Sequence, residues 1–534
     1  MVSSSEGFTW TPSGGVRHGL PTIGVVVPPT HSIQPPTETY DAIVIGSGYA
    51  GLVASRDLAT QGKNHRVGGM NILADQQTGK KTLLIEARDR LGGRTWHSTI
   101  NGFNYELGGT WIHWHMPHIY REVPLYGLHN DWIVTQNPGG KEDYCTITTG
   151  TEQRNISHAD EDEIAGRVFQ IFCNVDGNNL KETWKYAFGT NQASELMAKW
   201  DRLSCQDRLD EIHDQLTTEE VSVLEAQLLQ MGGNSLAKMG LLDALRWWSL
   251  GSNVPSGLNN IALHTRLRSG NSALHRRIFE HAVSTGNLSY AFETPVQRIQ
   301  DAGGVVVVTA RDGQQWKAKD VICTVPLNVL SDLEFSPPLD ADKIEAANEG
   351  SVNKCNKVHV DFNGPDYLSW SSVGTPGKGL VAAFGDHLTP ADNSHLVAFG
   401  PDPESPGGIP LNDTEALKTA LVHLLPKEKQ NSVIINRIVT HDWNNDEFAK
   451  GTWCYLPPSF TTKYLLALQR SHGNVCFASA DFSDGWRGWI DGAVQVGMQM
   501  AYQVIQKQLK TVVEVKESKL TNGALTNGVL TNGV

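Results

Sequence analysis

An α/β fold of two lobes is what the sequence predicts, and three observations carry it. A short buried-strand pattern at residues 41–45 (DAIVI) runs into a glycine-rich turn and then a helical stretch, GLVASRDLATQG, the opening unit of a Rossmann-type dinucleotide lobe. From about 155 to 285 the apolar residues recur every three or four positions, as in EDEIAGRVFQIF, LDEIHDQL and LLDALRWWSL, which predicts a largely helical region. Strand signals then return in LSYAF, PVQRIQ, GVVVVTARDG and DVICTVPL, so a mixed sheet is interleaved with the helices.

Taken in order, residues 1–39 are rich in Gly, Pro, Ser and Thr and read as an arm that wraps on the surface or stays mobile. Residues 40–120 are the first part of the dinucleotide lobe, and TLLIEA at 82–87 is its second buried strand. The helical second lobe occupies 121–285. The first lobe resumes at 286–330, the sheet of the second lobe follows at 331–440, and the first lobe closes at 441–508 with VCFASADF and a long helix. The remainder, 509–534, ends in an imperfect LTNG repeat too polar to form a core, and reads as disordered.

Composition narrows the function. A chain of 534 residues with 40% apolar content has ample material for a buried cofactor, and a net charge of −13 leaves no broad cationic surface for nucleic acid or anionic lipid. Seven scattered cysteines contain no CxxC pair, which fits a reducing compartment and neither zinc nor a redox dithiol. No stretch approaches the roughly 18 apolar residues of a membrane span. A cytoplasmic protein is therefore expected. Ser518-Lys519-Leu520 would read as a peroxisomal address if the chain ended at Leu520.

The turn after the first strand is GSGYAG, with Gly46, Gly48 and Gly51 at GxGxxG spacing and Ala50 between them. The first glycine permits the tight turn, the second lets backbone approach a pyrophosphate, and the third allows close helix packing. The helix N-terminus offers unpaired N–H groups to phosphate. An acidic residue for the ribose hydroxyls belongs about 20 residues further on, yet Glu86 stands 35 residues past Gly51. Removing residues 63–79, which have neither helical nor strand periodicity, restores the spacing, so that segment is an insertion. Two origins stay open for it: a surface loop grown at a tolerant site, or a retained in-frame intron, since Gly62-Lys63-Asn64 is compatible with a splice-donor codon run.

Directly after Glu86 come Ala87, Arg88 and the run DRLGGRTW with Gly93 and Arg94, and then ELGGTWIH with Gly108, Gly109, Thr110 and Trp111. PVQRI, VPLNVLSDLEFSPPL, KVHV, WNNDEFAKGTW and FASADFSDGWRGWIDGAVQVG follow in order. From about residue 40 to 506 this series resembles the flavin-containing amine oxidases, and within them the fungal monoamine oxidase branch.

The resemblance implies FAD, held without a covalent bond, with Arg94 at the diphosphate, Arg88 near the phosphates and Val296 at the adenine. It also implies cofactor contacts from Trp443, Asp481, Ile490 and Ala493, Asp481 standing where many relatives carry a glutamate. Trp453 and Trp489 fall where relatives set two aromatic rings on edge to the flavin to steer the amine. Relatives with tethered FAD use a cysteine just before the first of these, a place held here by Thr452, while Cys454 lies on the other side of Trp453. The lysine that many relatives keep near the flavin is expected in VLSDLEF, where this sequence has Asp332; Lys354 and Lys357 could reach in from the next strand, but a solvated or structural role is expected for both. His113, His115 and His118 make an HxHxxH run, read as a wall or a hydrogen-bonded structural feature and not as metal ligands.

The resulting expectation is an FAD-dependent oxidase of small-molecule amines. Amine, O2 and water would give, through an imine, an aldehyde or ketone, ammonia or an amine, and hydrogen peroxide. A polyamine or amino-acid oxidase of the same fold, or a flavin-binding protein without turnover, are the alternatives; the oligomeric state is left open.

Overall fold

Five strands run parallel through the centre of the first sheet: Val475–Phe477, Gln315–Cys323, Thr39–Ile45, Thr82–Ile85 and Leu288–Ala291. The computed structural model describes residues 1–61, 79–135, 138–188, 194–374, 376–405 and 407–526, of which 511–526 are described by backbone course alone. Ile43, Val44, Leu83, Leu84, Val321 and Ile322 are all fully buried. Burial on both faces is why these strands read as continuous apolar runs with no alternation. On the flank of Gln315–Cys323, an antiparallel meander of Val306–Ala310 and Val296–Asp301 extends the sheet to Glu334–Ser336.

The second sheet has nine strands in the order Glu152–Ile156, Cys145–Thr149, Ser371–Val373, Ala382–Leu388, Ser394–Gly400, Asn356–Phe362, Ile435–Thr440, Ser3–Thr11 and Gly15–Pro21. Two of these were expected to be a surface arm. Phe8, Thr9 and Trp10 instead pair with Thr440, Val439 and Ile438, and the chain turns back on itself through Gly15–Pro21. The helical region also contributes Cys145–Thr149 and Glu152–Ile156 to this sheet, between Trp132–Val134 and the helix His158–Cys173. Further helices are Glu195–Asp201, Cys205–Ile212, Thr218–Gly232, Leu241–Leu250, Pro255–Leu263 and Asn271–Ser284. Their starts follow from the sequence: Ser157, Ser194, Ser204 and Thr217 each cap a helix through the side-chain oxygen, the last two in reciprocal capping boxes.

The insertion at 63–79 lies almost wholly outside the described residues. Its flanks are described: the helix Tyr49–Thr60 ends at Gln61, and Lys80 N–H donates to the Leu58 carbonyl, so the chain resumes beside the point it left. The final helix runs Ile490–Thr526, so residues 509–526 of the expected disordered tail continue it, and Ser518-Lys519-Leu520 lies within it. Leu, Lys and Glu, all good helix formers, recur past that boundary. Residues 527–534 lie outside the described ones. No helix of the described residues is long and apolar enough to cross a membrane.

Candidate active site

The parallel register levels the carboxyl ends of the central strands, with Ile45 opposite both Ile85 and Cys323. Two segments 39 residues apart in sequence thereby meet. Gly46 N–H donates to the Ile85 carbonyl at 2.7 Å, and Ser47 N–H donates to Glu86 Oε2 at 2.6 Å. Gly46 has φ +102°, and a Cβ there would stand 2.4 Å from Thr324 Oγ1; a Cβ on Gly51 would stand 1.8 Å from the Gly46 carbonyl oxygen. The first and third glycines are thus demanded by the turn and by helix packing. The helix Tyr49–Thr60 starts with no side-chain cap and no acidic residue in its first turn, which leaves its N–H groups and dipole uncompensated.

Glu86 is buried, and its Oε1 accepts a second bond from Arg88 N–H at 2.9 Å. Burial pushes this carboxyl above its usual range, against the pull of those two backbone donors. Its free lone pairs belong to a cavity of about 1450 Å³, mouth included, that Gly46, Gly48 and Ala50 also line.

Most expected site residues reach this cavity. Ala87, Arg88, Gly93 and Arg94 line it from the segment after Glu86, Gly108 and Gly109 from the paired-glycine segment, and Val296 and Trp443 from elsewhere in the chain. Trp453, Trp489, Ile490 and Ala493 complete the set. Four do not line it. Gly51 is the packing glycine of the turn. Asp481, expected as a cofactor contact, is buried behind Arg94: its Oδ1 accepts from Arg94 Nη2 at 2.7 Å and its Oδ2 from Leu327 N–H at 2.8 Å. It therefore orients Arg94, whose Nη1 donates to the Thr452 carbonyl. Thr110 and Trp111 sit under a lysine described below.

Arg88 is engaged by carboxylates. It lies on the cavity wall, but its guanidinium forks onto Asp446, with Nη1–Oδ2 2.8 Å and Nη2–Oδ1 2.6 Å, and also pairs with Glu6. Glu6 comes from the first strand and also binds Arg90. Burial works against the Asp446 carboxylate, yet His441 and Arg88 outweigh it and hold that carboxyl well below its usual range. Glu6, His441 and Asp446 lie close enough to share an ion, but two arginines already neutralise them.

VLSDLEF brings no lysine to the cavity. Asp332 is on the cavity wall but pairs with Lys450 at 2.6 Å. Lys357, on Asn356–Phe362, is buried and lines the cavity. Its Nζ donates to the carbonyls of Glu106 (2.8 Å) and Gly108 (3.1 Å) and to Thr110 Oγ1 (2.5 Å), and it stands 4.7 Å from the Trp111 ring centroid. Burial brings its ammonium down to about 7, with Glu106 opposing. A signal was available: Lys357, His359 and Asp361 alternate with Val358, Val360 and Phe362, and a strand that places ionisable groups on a buried face has a use for them.

Thr452 lines the cavity, while Cys454 does not: it is fully buried, and burial raises its thiol well above the usual range. The histidine run is dispersed. His118 pairs with Asp491 at 2.8 Å, whereas His113 Nδ1 accepts from His115 N–H and its ring is brought to about 4 by burial and by His115 and His264.

The wall thus combines a phosphate-sized glycine turn at a helix N-terminus, a buried carboxylate for ribose, an oriented arginine and two tryptophans. It fits FAD, and fold and site together define a dinucleotide-holding redox protein. The chain belongs to the flavin-containing amine oxidoreductase family, whose model matches residues 49–505. It is 31% identical over 468 residues to a pseudooxynicotine dehydrogenase of Pseudomonas, covering 87% of this chain and 86% of that one. It is 24% identical to a putrescine oxidase of Kocuria rosea, covering 87% and 95%. Its fold is shared with cyclohexylamine oxidase from Brevibacterium oxydans, TM-score 0.70 at 18% identity, covering 88% of this chain and all of that one. The protein is a flavin-dependent amine oxidoreductase.

Proposed function

We propose that the chain is a monoamine oxidase that holds FAD without a covalent bond and passes electrons to O2. The observation that carries the substrate reading is the charge of the cavity wall. Among the described residues only two acidic ones line it: Glu86, tied to Ser47 and Arg88 N–H groups beside the glycine turn, and Asp332, paired with Lys450. A diamine or polyamine needs an available carboxylate for its distal ammonium, and an amino acid needs an arginine free to face its carboxylate, whereas Arg88, Arg94 and Arg311 of the described wall are paired with Asp446, Asp481 and Glu447. Trp453 and Trp489 suit a neutral amine on an apolar body.

A bound flavin supplies the two-electron redox chemistry. The protein orients the amine and excludes water. Trp453 is fixed by its indole N–H to the Met231 carbonyl at 2.8 Å, and Trp489 is wedged between Trp247 and Trp486, ring centroids 4.8 and 5.8 Å away. Lys357 is the one lysine of the wall among the described residues, and its positive charge stabilises negative charge developing on oxygen.

Anaerobic mixing of the yellow holoenzyme with an amine panel tests this. Apolar monoamines are expected to bleach the flavin faster than diamines of equal length; a preference for diamines would refute the monoamine reading. Reduction by amine without reoxidation in air would make the enzyme a dehydrogenase. Trp489→Ala is expected to keep bound flavin and slow bleaching about tenfold to a hundredfold, because misorientation costs the near-attack arrangement more than it costs FAD. Trp489→Tyr should recover much of the loss, and parental rates in Trp489→Ala would leave this tryptophan a packing residue.

Attachment has its own test. With Thr452 at the wall and Cys454 away from it, acid denaturation is expected to release yellow FAD to the supernatant. Colour retained in the washed pellet would show a covalent bond.

A further inference from the structure

Three ionisable side chains share one face of Asn356–Phe362, and all three are buried. Unpaired, each would cost several kcal/mol. They are joined in a chain. His359 Nε2 lies 2.7 Å from the Glu106 carbonyl, the same oxygen that accepts from Lys357 Nζ. His359 Nδ1 lies 3.0 Å from His395 Nε2, and His395 Nδ1 lies 2.9 Å from Asp361 Oδ1. Asp361 Oδ2 accepts from Tyr105 O–H at 2.6 Å and lies 3.5 Å from Arg437. The antiparallel register places His395 directly opposite Asp361, and the two imidazoles are stacked at 16° with centroids 5.1 Å apart.

Proton counting orients the chain. A carbonyl only accepts, so His359 donates from Nε2, and its Nδ1 then accepts from His395 Nε2–H. The Asp361 carboxylate only accepts, so His395 donates to it from Nδ1 as well and carries both ring protons in this chain. Because the carbonyl has no proton to pass on, the chain cannot conduct protons to Lys357. It can hold the carbonyl still.

We propose that Asp361, His395 and His359 are positioning residues that fix the Glu106 carbonyl and with it the seat of the Lys357 head at the cavity. The inference rests on the part given above to Lys357 in the oxygen reaction. His359 and Lys357 compete for one carbonyl oxygen, so the relay limits how well the ammonium is solvated. The other charged groups facing Lys357 act separately: the carboxylates of Glu106 and Asp386 favour its proton, and Arg266, on Thr265–Leu267, disfavours it.

The experiment is the pH profile of reoxidation by O2 of amine-reduced holoenzyme. His359→Leu removes the competing donor and is expected to move the upper limb of that profile to higher pH by about one unit. His359→Gln, which keeps an N–H at the position of Nε2, is expected to return it to the parental place. Asp361→Asn preserves side-chain volume and should move the limb the same way by a smaller step; it decides the matter if His359→Leu does not fold. A parental profile in both His359→Leu and Asp361→Asn, or an equal shift in His359→Gln and His359→Leu, overturns the relay. Lys357→Met separates the two levels: if it leaves reoxidation unchanged, the lysine reading falls and the relay with it, whereas a lysine effect without a His359 effect overturns the relay alone.

Discussion

Lys357→Met is expected to slow the reaction of reduced flavin with O2 by about a hundredfold while leaving anaerobic reduction by amine near the parental rate. Loss of one preorganised charge or donor at a site of developing negative charge typically costs that much. The substitution is well tolerated sterically. Of the three groups that accept from Nζ, the Glu106 carbonyl keeps His359 and the Gly108 carbonyl keeps Thr110 Oγ1, so little is left unsatisfied. The sign of the pH dependence follows from burial, which disfavours the ammonium and brings it to about 7. Below that pH the charge is present and oxygen reacts fast; as pH rises through about 7 the charge is lost and the rate falls. Stopped-flow reoxidation at several pH values reads both effects. A Lys357→Met enzyme that reoxidises at the parental rate would exclude the lysine from the oxygen step.

The glycine turn, Glu86, Arg94 and the two tryptophans were legible because each belongs to a local pattern: a strand feeding a turn, a strand end, a short motif. Lys357 was legible only in part: the reading sought a lysine in VLSDLEF, where Asp332 stands, and, though Lys354 and Lys357 could reach in from the next strand, it gave both a solvated or structural role because nothing local shows what lies against the odd positions of KVHVDF. The carboxylate partners of Arg88 were invisible for another reason. Glu6 and Asp446 lie 82 and 358 residues from it, and the first strand reaches Arg88 only by pairing with Ile435–Thr440. Gly, Pro and Ser between those strands imitate a flexible arm, and only a long-range sheet edge turns them into structure.

Asp243→Ala is expected to destabilise the fold by about 3–5 kcal/mol, the usual cost of stranding buried charge. Asp243 lies on Leu241–Leu250 in the helical region, and its carboxylate collects three donors: Arg487 Nη2 at 2.6 Å, Arg246 Nε at 3.0 Å and Leu456 N–H at 2.7 Å. All three charged side chains are at most 2% exposed, so the alanine variant would leave two buried guanidiniums facing each other without a counterion. Burial opposes the Asp243 carboxylate, but Arg246 and Arg487 outweigh it and depress its ionisation below the usual value. Its contribution is therefore present above about pH 4, the unfolded value, and is lost as pH falls through the lower folded one. The consequence reaches the active site. Arg487 stands two residues before Trp489, and Arg246 holds the Gly485 carbonyl at 2.8 Å, so the triad pins the segment that presents this tryptophan to the cavity. Asp243→Asn, which keeps an acceptor but no charge, should fall between parent and alanine in denaturation midpoint and in the rate of flavin reduction by amine. If the alanine variant unfolds within about 1 kcal/mol of the parent, the triad is not what ties that segment to the helices.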